Sequence, residues 1–254
     1  MKLLLIRLGV IAAALALWEG ATRQAKNQFF PPPTDILSRM HKDWFSGPAS
    51  DLFLTPAATD NILPGIGRLL LGWLLACALG VTIGLAAGRS DHLSDRLAPL
   101  IHFFRSVPPP TLVPIFLVLF KIGTPMQVAT IVFGVIWPVL LNSIEGARSI
   151  NALHLETARA FRLSAPTRVL RVILPAASPK VFAGLRLSLA TALILMVISE
   201  YVGSTDGIGY HLMNAQSTTD VPGVWEAIVL LGILGLIFNA AFLALERRAL
   251  SWHR

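Results

Sequence analysis

Glu156-Thr157-Ala158, followed eighteen and nineteen residues after the glutamate by Leu174-Pro175, is the pattern with the most chemical content in this sequence. It lies in a basic segment between two strongly apolar runs. An ordered amphipathic segment in a short loop of a membrane protein fits a handle by which a separate motor moves the membrane helices. Glu200 is the one acid placed near a membrane interior, where ionisable groups usually face a protein cavity or pair with another group. Two readings of it stand: a pathway or gating carboxylate, or an ion-paired or interfacial one. There is no His-Glu-x-x-His, no Cys/His cluster and no nucleophile–base arrangement, so no metal site and no catalysis are expected. His102 and His211 read as interfacial. The single cysteine, Cys77, excludes an internal disulfide and reads as a small core residue.

The elements that must position these residues are membrane helices. The 254 residues are 54% hydrophobic and only 14% charged, against about 25% charged for a soluble domain. Residues 69–88, 122–144 and 227–245 are uncharged runs of 20, 23 and 19 residues, bounded by Arg68 and Arg89, Lys121 and Glu145, and Glu226 and Glu246. Each is near the ~20 residues a crossing helix needs. Two further spans are less clean. Residues 106–120 open on Pro108-Pro109-Pro110, and proline suits the first turn of a helix. The regular helix is therefore expected to start near these prolines, with 97–104 entering at an angle or as a separate short helix. Residues 187–199 form the other, extended by 181–184 and 201–203 past Arg186 and Glu200.

The amino terminus carries a basic stretch, 1–7, and an 11-residue apolar run, 8–18. That is the pattern of a cleaved signal peptide, or of a retained helix over 3–18 with Arg7 snorkelling to the interface. The net charge of +7 does not point to nucleic acid, because the cations sit between apolar runs. Arg148, Arg159, Arg162, Arg168, Arg171 and Lys180 lie between the fourth and fifth spans, and 204–221 holds no Lys or Arg. Arg89 and Arg96 mark another inner loop, and Arg247, Arg248 and Arg254 the tail. Arg23, Lys26, Arg39 and Lys42 in the outer segment 23–61 are the exception. The positive-inside rule then gives about six spans with both termini cytoplasmic, in one all-α polytopic membrane domain over 1–254. The outer segment contains Pro31-Pro32-Pro33-Thr34-Asp35, read as a turn and a helix capped at Thr34 or Asp35.

Gly72, Ala76, Gly80, Gly84 and Gly88 recur every four residues along the second span. Small residues at that spacing let helix backbones approach closely in lipid. The partner is either a second subunit or another helix of the same chain. In the loop, 152–163 reads as a short helix with Leu155, Ala158, Phe161 and Arg162 at helical spacing. Ser164-Ala165-Pro166-Thr167 breaks it, and a second helix, 167–173, is expected to stop at Pro175. Such helices could lie on the cytoplasmic face, or the loop could rest on lipid headgroups through its six cations.

Glu156-Thr157-Ala158 with Leu174-Pro175 resembles the EAA loop of ABC-importer permeases, whose pattern runs Glu-Ala-Ala, three residues, Gly, nine residues, Ile-x-Leu-Pro. The spacing is kept, with Thr157 in place of an alanine, Val172 of the isoleucine and Arg162 of the glycine. Phe30-Pro31-Pro32-Pro33, Arg105-Ser106-Val107-Pro108 with Leu112-Val113-Pro114, and Glu200 followed by Gly207-Ile208-Gly209-Tyr210 resemble the nitrate, taurine and alkanesulfonate branch. The resemblance covers roughly residues 18–248. It implies a type I permease fold, a retained first helix, and an importer subunit in the bacterial inner membrane. It also implies two permease copies, most simply a homodimer, two cytoplasmic ATPase subunits gripping the loops (145–182), and an outer substrate-binding protein. Glu156 would be the polar anchor and Leu174-Pro175 would fix the loop's return. Pro108 and Pro114, with Glu200, become pathway or gating candidates. No phosphate loop of the form G-x-x-x-x-G-K-[ST] is present, so ATP is expected on partner subunits and no cofactor on this chain. The transported solute is expected to be a small anion such as nitrate, sulfonate or taurine. The alternative is an ion-gradient-driven secondary transporter, although no internal repeat of the kind such proteins show is visible.

Overall fold

The computed structural model describes residues 2–25 and 27–253, and the side chains of all these except 2–5, 7, 8 and 253. The reading of Arg7 as a snorkelling cation, and the charges of Lys26 and Arg254, lie outside them. No strand occurs among the described residues. The helices are α1 (Lys2–Ala25), α2 (Pro33–Trp44), α3 (Pro56–Gly88), α4 (Asp91–Ser106), α5 (Val113–Phe120), α6 (Thr124–Arg148), α7 (Ala152–Ala160), α8 (Ala165–Gly203), α9 (Ile208–Ser217) and α10 (Val221–Ala249). Short 3-10 turns occupy Ala49–Asp51, Pro109–Leu112 and Ser251–His253.

Four helical stretches among the described residues are long and apolar enough to cross a membrane: Ala49–Gly88, Thr124–Arg148, Ala165–Gly203 and Val221–Ala249. A fifth candidate is a bent pair, Asp91–Ser106 and Pro109–Phe120, which meet at 84° and are apolar enough only when taken together. The prolines expected to start the third span do so. The helix before them is 16 residues long, however, more than the short 97–104 segment, because Ser90 caps it by accepting the Leu93 amide hydrogen. Helix α1, at 24 residues, has the length of a sixth span.

The chain divides into two compact units, Met1–Gly65 with Thr205–Leu234, and Ile66–Ser204 with Gly235–Arg254. In the first, α2 is not capped by Thr34 or Asp35 as expected. Pro33 occupies its first turn and Pro32 stands at the cap. The Glu19 carboxylate, reaching over from α1, accepts both the Thr34 amide hydrogen (3.1 Å) and the Thr34 hydroxyl (2.7 Å). The Trp225 indole donates to the Phe29 carbonyl, and Trp18 and Phe30 pack on its ring. Arg39 pairs with Asp43 and Asp220. The Asp43 hydrogen bond first, then the charges of Asp43, Asp220 and Glu226, raise Arg39 above its ordinary pKa against the opposing effect of burial.

In the second unit the small-residue stripe decides the packing. An added Cβ at Gly72, Gly80, Gly84 and Gly88 would meet Ile131, Val139, Ser143 and Ala147, so residue n of α3 faces residue n + 59 of α6. At Gly84 the approach is 2.5 Å to Ser143 Cβ and 2.7 Å to the Leu140 carbonyl oxygen. Ala76 is fully buried on the same row. The partner of the stripe is therefore a helix of the same chain. A constant positive offset also means that α3 and α6 run parallel. Two parallel helices in sequence need an odd number of crossings between them, which the bent α4–α5 pair supplies as a single span. Helix α8 returns antiparallel, with Gly146 against Ala177, Gly184 against Asn142 and Gly134 against Leu195. The remainder of α10 is antiparallel to α8, from Gly235 against Leu193 to Glu246 beside Arg186. The carboxyl ends of α3, α6 and α10 and the start of α8 thus share one end of the unit.

Candidate functional site

That shared end carries the loop from Glu145 to Phe182. Helix α7 starts because Asn151 caps it, accepting the Leu153 amide hydrogen at 2.9 Å. Its inner face is short. Leu155 and Ala158 are buried, and Leu155 joins Leu85, Ala147, Ile150, Ile173, Ala177 and Val181 in one apolar cluster. Glu156 and Thr157 point outward. The Thr157 hydroxyl donates to the Leu153 carbonyl, whereas Glu156 has no hydrogen-bond or ion-pair partner among the described residues. A free carboxylate thus stands on a helix whose opposite face is rooted in the core. Phe161, expected on the buried period, is 75% exposed, because the helix has already ended at Ala160.

The end is a Schellman turn. Leu163 donates its amide hydrogen to the Ala158 carbonyl (3.0 Å) and Arg162 to the Arg159 carbonyl (2.8 Å). That motif requires a left-handed residue, and Arg162 supplies it at φ 52°. Arginine therefore keeps the backbone that a glycine would adopt freely, at a cost of about 1–2 kcal/mol.

The second loop helix does not stop at Pro175. It runs on without a break from Ala165 to Gly203, 39 residues in all. Proline has no amide hydrogen, and in an α-helix its ring meets the carbonyl one turn back. Here the turn at Val169–Ile173 is a π-helix, in which Leu174 donates to Val169, five residues back. The widened turn accommodates Pro175 in the first α-helical turn that follows. Leu174 packs on the Leu155 cluster, so the two ends of the sequence pattern meet one core. At the mouth of the loop Lys180 donates to Glu145 at 2.6 Å.

Glu200 lies at the far end of α8. It is fully buried and ion-paired with Arg68 (Nη1 to Oε1, 3.3 Å), and Arg68 Nε also donates to the Thr124 hydroxyl at 3.3 Å. Arg68, taken from sequence only as the flank of the second span, sits inside α3 one turn before Gly72. Its place on the four-residue row of the stripe was the signal available. At the other end of the same seam Arg89 donates to the Ala147 carbonyl at 3.1 Å. Pro108 stands at the cap of the 3-10 turn and Pro114 in the first turn of α5, both exposed. They shape the bend rather than meet Glu200 in any described contact. His102 is exposed. His211 is not merely interfacial, because its Nε2 lies 2.9 Å from the fully buried Glu226, a residue that sequence marked only as a flank. Cys77 is half-buried rather than core.

A family profile described as binding-protein-dependent transport system inner membrane component matches residues 80–251. The taurine transport system permease TauC of Escherichia coli is 26% identical over 250 residues, covering 98% of this chain and 90% of its own length. The bicarbonate transport permease CmpB of Synechococcus elongatus is 31% identical over 186 residues, 73% and 67% of the two chains. Among solved structures, an inward-facing MetNI methionine ABC transporter superposes with a TM-score of 0.64 at 17% identity. The match covers 74% of this chain and 94% of that one. It establishes the type I permease fold.

Proposed function

This chain belongs to the family of binding-protein-dependent transport inner-membrane components, and from that premise we propose that it is the permease subunit of an ATP-driven importer. The observation that carries the reading is Glu156. It is an exposed, unpartnered carboxylate on a short helix rooted by Leu155 in the core, directly ahead of a helix continuous with a membrane span. A partner gripping α7 at Glu156 pushes on that root and moves α8 with it. In this reading the coupling-loop end faces the cytoplasm, where the cations of the loop favour it. The outer segment, 23–61, meets a substrate-binding protein. The chain acts as a single permease domain, pairs with a second copy, holds no cofactor of its own and leaves ATP to its partners.

The solute in this reading is a small anion. Relatives named for taurine, sulfonate and bicarbonate transport support the class. Glu200 does not oppose it, because Arg68 neutralises the carboxylate.

Detergent co-purification of the full chain with its cognate ATPase tests the coupling. Native protein captures the ATPase, and Glu156→Arg loses it while still inserting in the membrane, a change of about 2–5 kcal/mol if the arginine is buried against the partner's site. Capture by neither protein, with both folded, or solute uptake driven by an ion gradient without ATP, overturns the reading.

A further inference from the structure

Beside the coupling segment lies a groove of about 470 Å³ between the last turns of α3 and the π-bulged start of α8. Glu156 is not among the residues that line it. Val81, Leu85, Leu170 and Leu174 form apolar walls, and Arg89 and Arg168 also line it; no acidic residue does. Arg89 uses a donor on the Ala147 carbonyl, but a guanidinium carries five N–H groups. Arg168 has no side-chain partner among the described residues. The π turn begins at the very next residue, Val169. It therefore sets where Arg168 and Leu170 stand, and Leu170 is 64% exposed.

We propose that this groove binds one anionic phospholipid of the leaflet on the coupling-loop side, its phosphate between Arg89 and Arg168 and its acyl chains along Leu170, Leu85 and Val81. The occupant follows from the chemistry. Two arginines among apolar walls at the end of a membrane helix match the two halves of a phospholipid, and basic pockets between membrane helices on the cytoplasmic side suit anionic headgroups. A protein partner would have to bring an acid and an apolar stretch to the same place, whereas the leaflet offers both everywhere. A bound lipid braces the widened turn, so that the position of the coupling segment depends on the anionic lipid around it. The proposal rests on the proposed function for the side of the membrane that the coupling loop faces, and holds whichever solute is carried.

The test uses the full chain in detergent, with native mass spectrometry and thermal melts in phosphatidylglycerol or phosphatidylcholine of matched acyl chains, and inorganic phosphate as a third addition. Phosphatidylglycerol is expected to bind and raise Tm, and phosphatidylcholine not to. Arg168→Gln weakens phosphatidylglycerol binding about fivefold to tenfold, while Arg96→Gln, an exposed inner arginine outside the groove, leaves it unchanged. Arg168 is the deciding position because Arg89→Gln also removes the bond to Ala147. Equal response to the two lipids, or native-like binding by Arg168→Gln, overturns the proposal. Stabilisation by phosphate alone identifies a free-anion site instead and overturns it too. Loss of a second copy or of the ATPase in Leu170→Glu, with the lipid preference intact, assigns the groove to a protein partner.

Discussion

The α3–α6 seam and the turn after α7 both call for glycine, and for different physical reasons. In the seam the demand is spatial. The backbones run so close that a Cβ at Gly84 would stand 2.5 Å from Ser143 Cβ, and no choice of φ relieves that. In the turn the demand is conformational. Arg162 has room for its side chain at the surface and meets only the strain of φ 52°. The chain tolerates a departure from glycine where the penalty is a torsion and keeps glycine where it is a collision. Packed helices give the membrane part its fixed form, and the loop is free to vary at about a kilocalorie or two.

The widest break in this contrast lies at the end of the seam away from the loop. Glu200→Leu removes the carboxylate paired with the buried Arg68, a loss of about 3–5 kcal/mol, read as a lowered Tm in detergent. Arg68→Met with Glu200→Leu recovers much of it, because an apolar pair of similar volume can replace a buried ion pair at little cost. Full loss in the double variant would show that the charges do more than neutralise each other. Gly84→Leu comes next, at about 1–3 kcal/mol or more from overpacking. A melt unchanged by this variant would mean the seam has slack. Arg162→Gly should act in the opposite direction, gaining about 1 kcal/mol at the turn, seen as slower hydrogen exchange at the Leu163 amide. Faster exchange would place the strain elsewhere. The smallest effect belongs to Lys180→Gln, which removes an exposed, solvent-screened pair with Glu145 and should leave Tm almost unchanged. A larger fall in Tm would reveal that the loop mouth is clamped.

Much of this was legible from sequence, and the misses share a cause. The four-residue glycine step announced a close helix contact, and the proline cluster announced the start of the third span, because both are local constraints on backbone. The identity of the seam's partner was not local. Neither was the burial of Arg68 and Glu226, which charge patterns read as span boundaries because a cation or acid next to an apolar run usually marks water. Their partners, Glu200 and His211, lie 132 and 15 residues away. Pro175 was misread for a subtler reason. Proline ends an α-helix, but the five-residue hydrogen bond from Leu174 to Val169 changes the helix before the proline arrives, and no residue type in 169–173 declares a π turn. In the candidate site, Glu156 and Leu174-Pro175 were singled out by their resemblance to the permease loop pattern, whereas the burial of Leu155 needed the fold to show which face it covered.

The unbroken course of α8 has a mechanical consequence. From Leu174 to Glu200 the rod is about 39 Å long at 1.5 Å per residue. Pivoted near its loop end, a tilt of about 10° would sweep the Glu200 end through about 7 Å on that rise. That stroke would exceed the reach of the 3.3 Å contact with Arg68, so in the proposed mechanism a modest rotation at the loop end would be geared up into the making or breaking of a charge pair at the other.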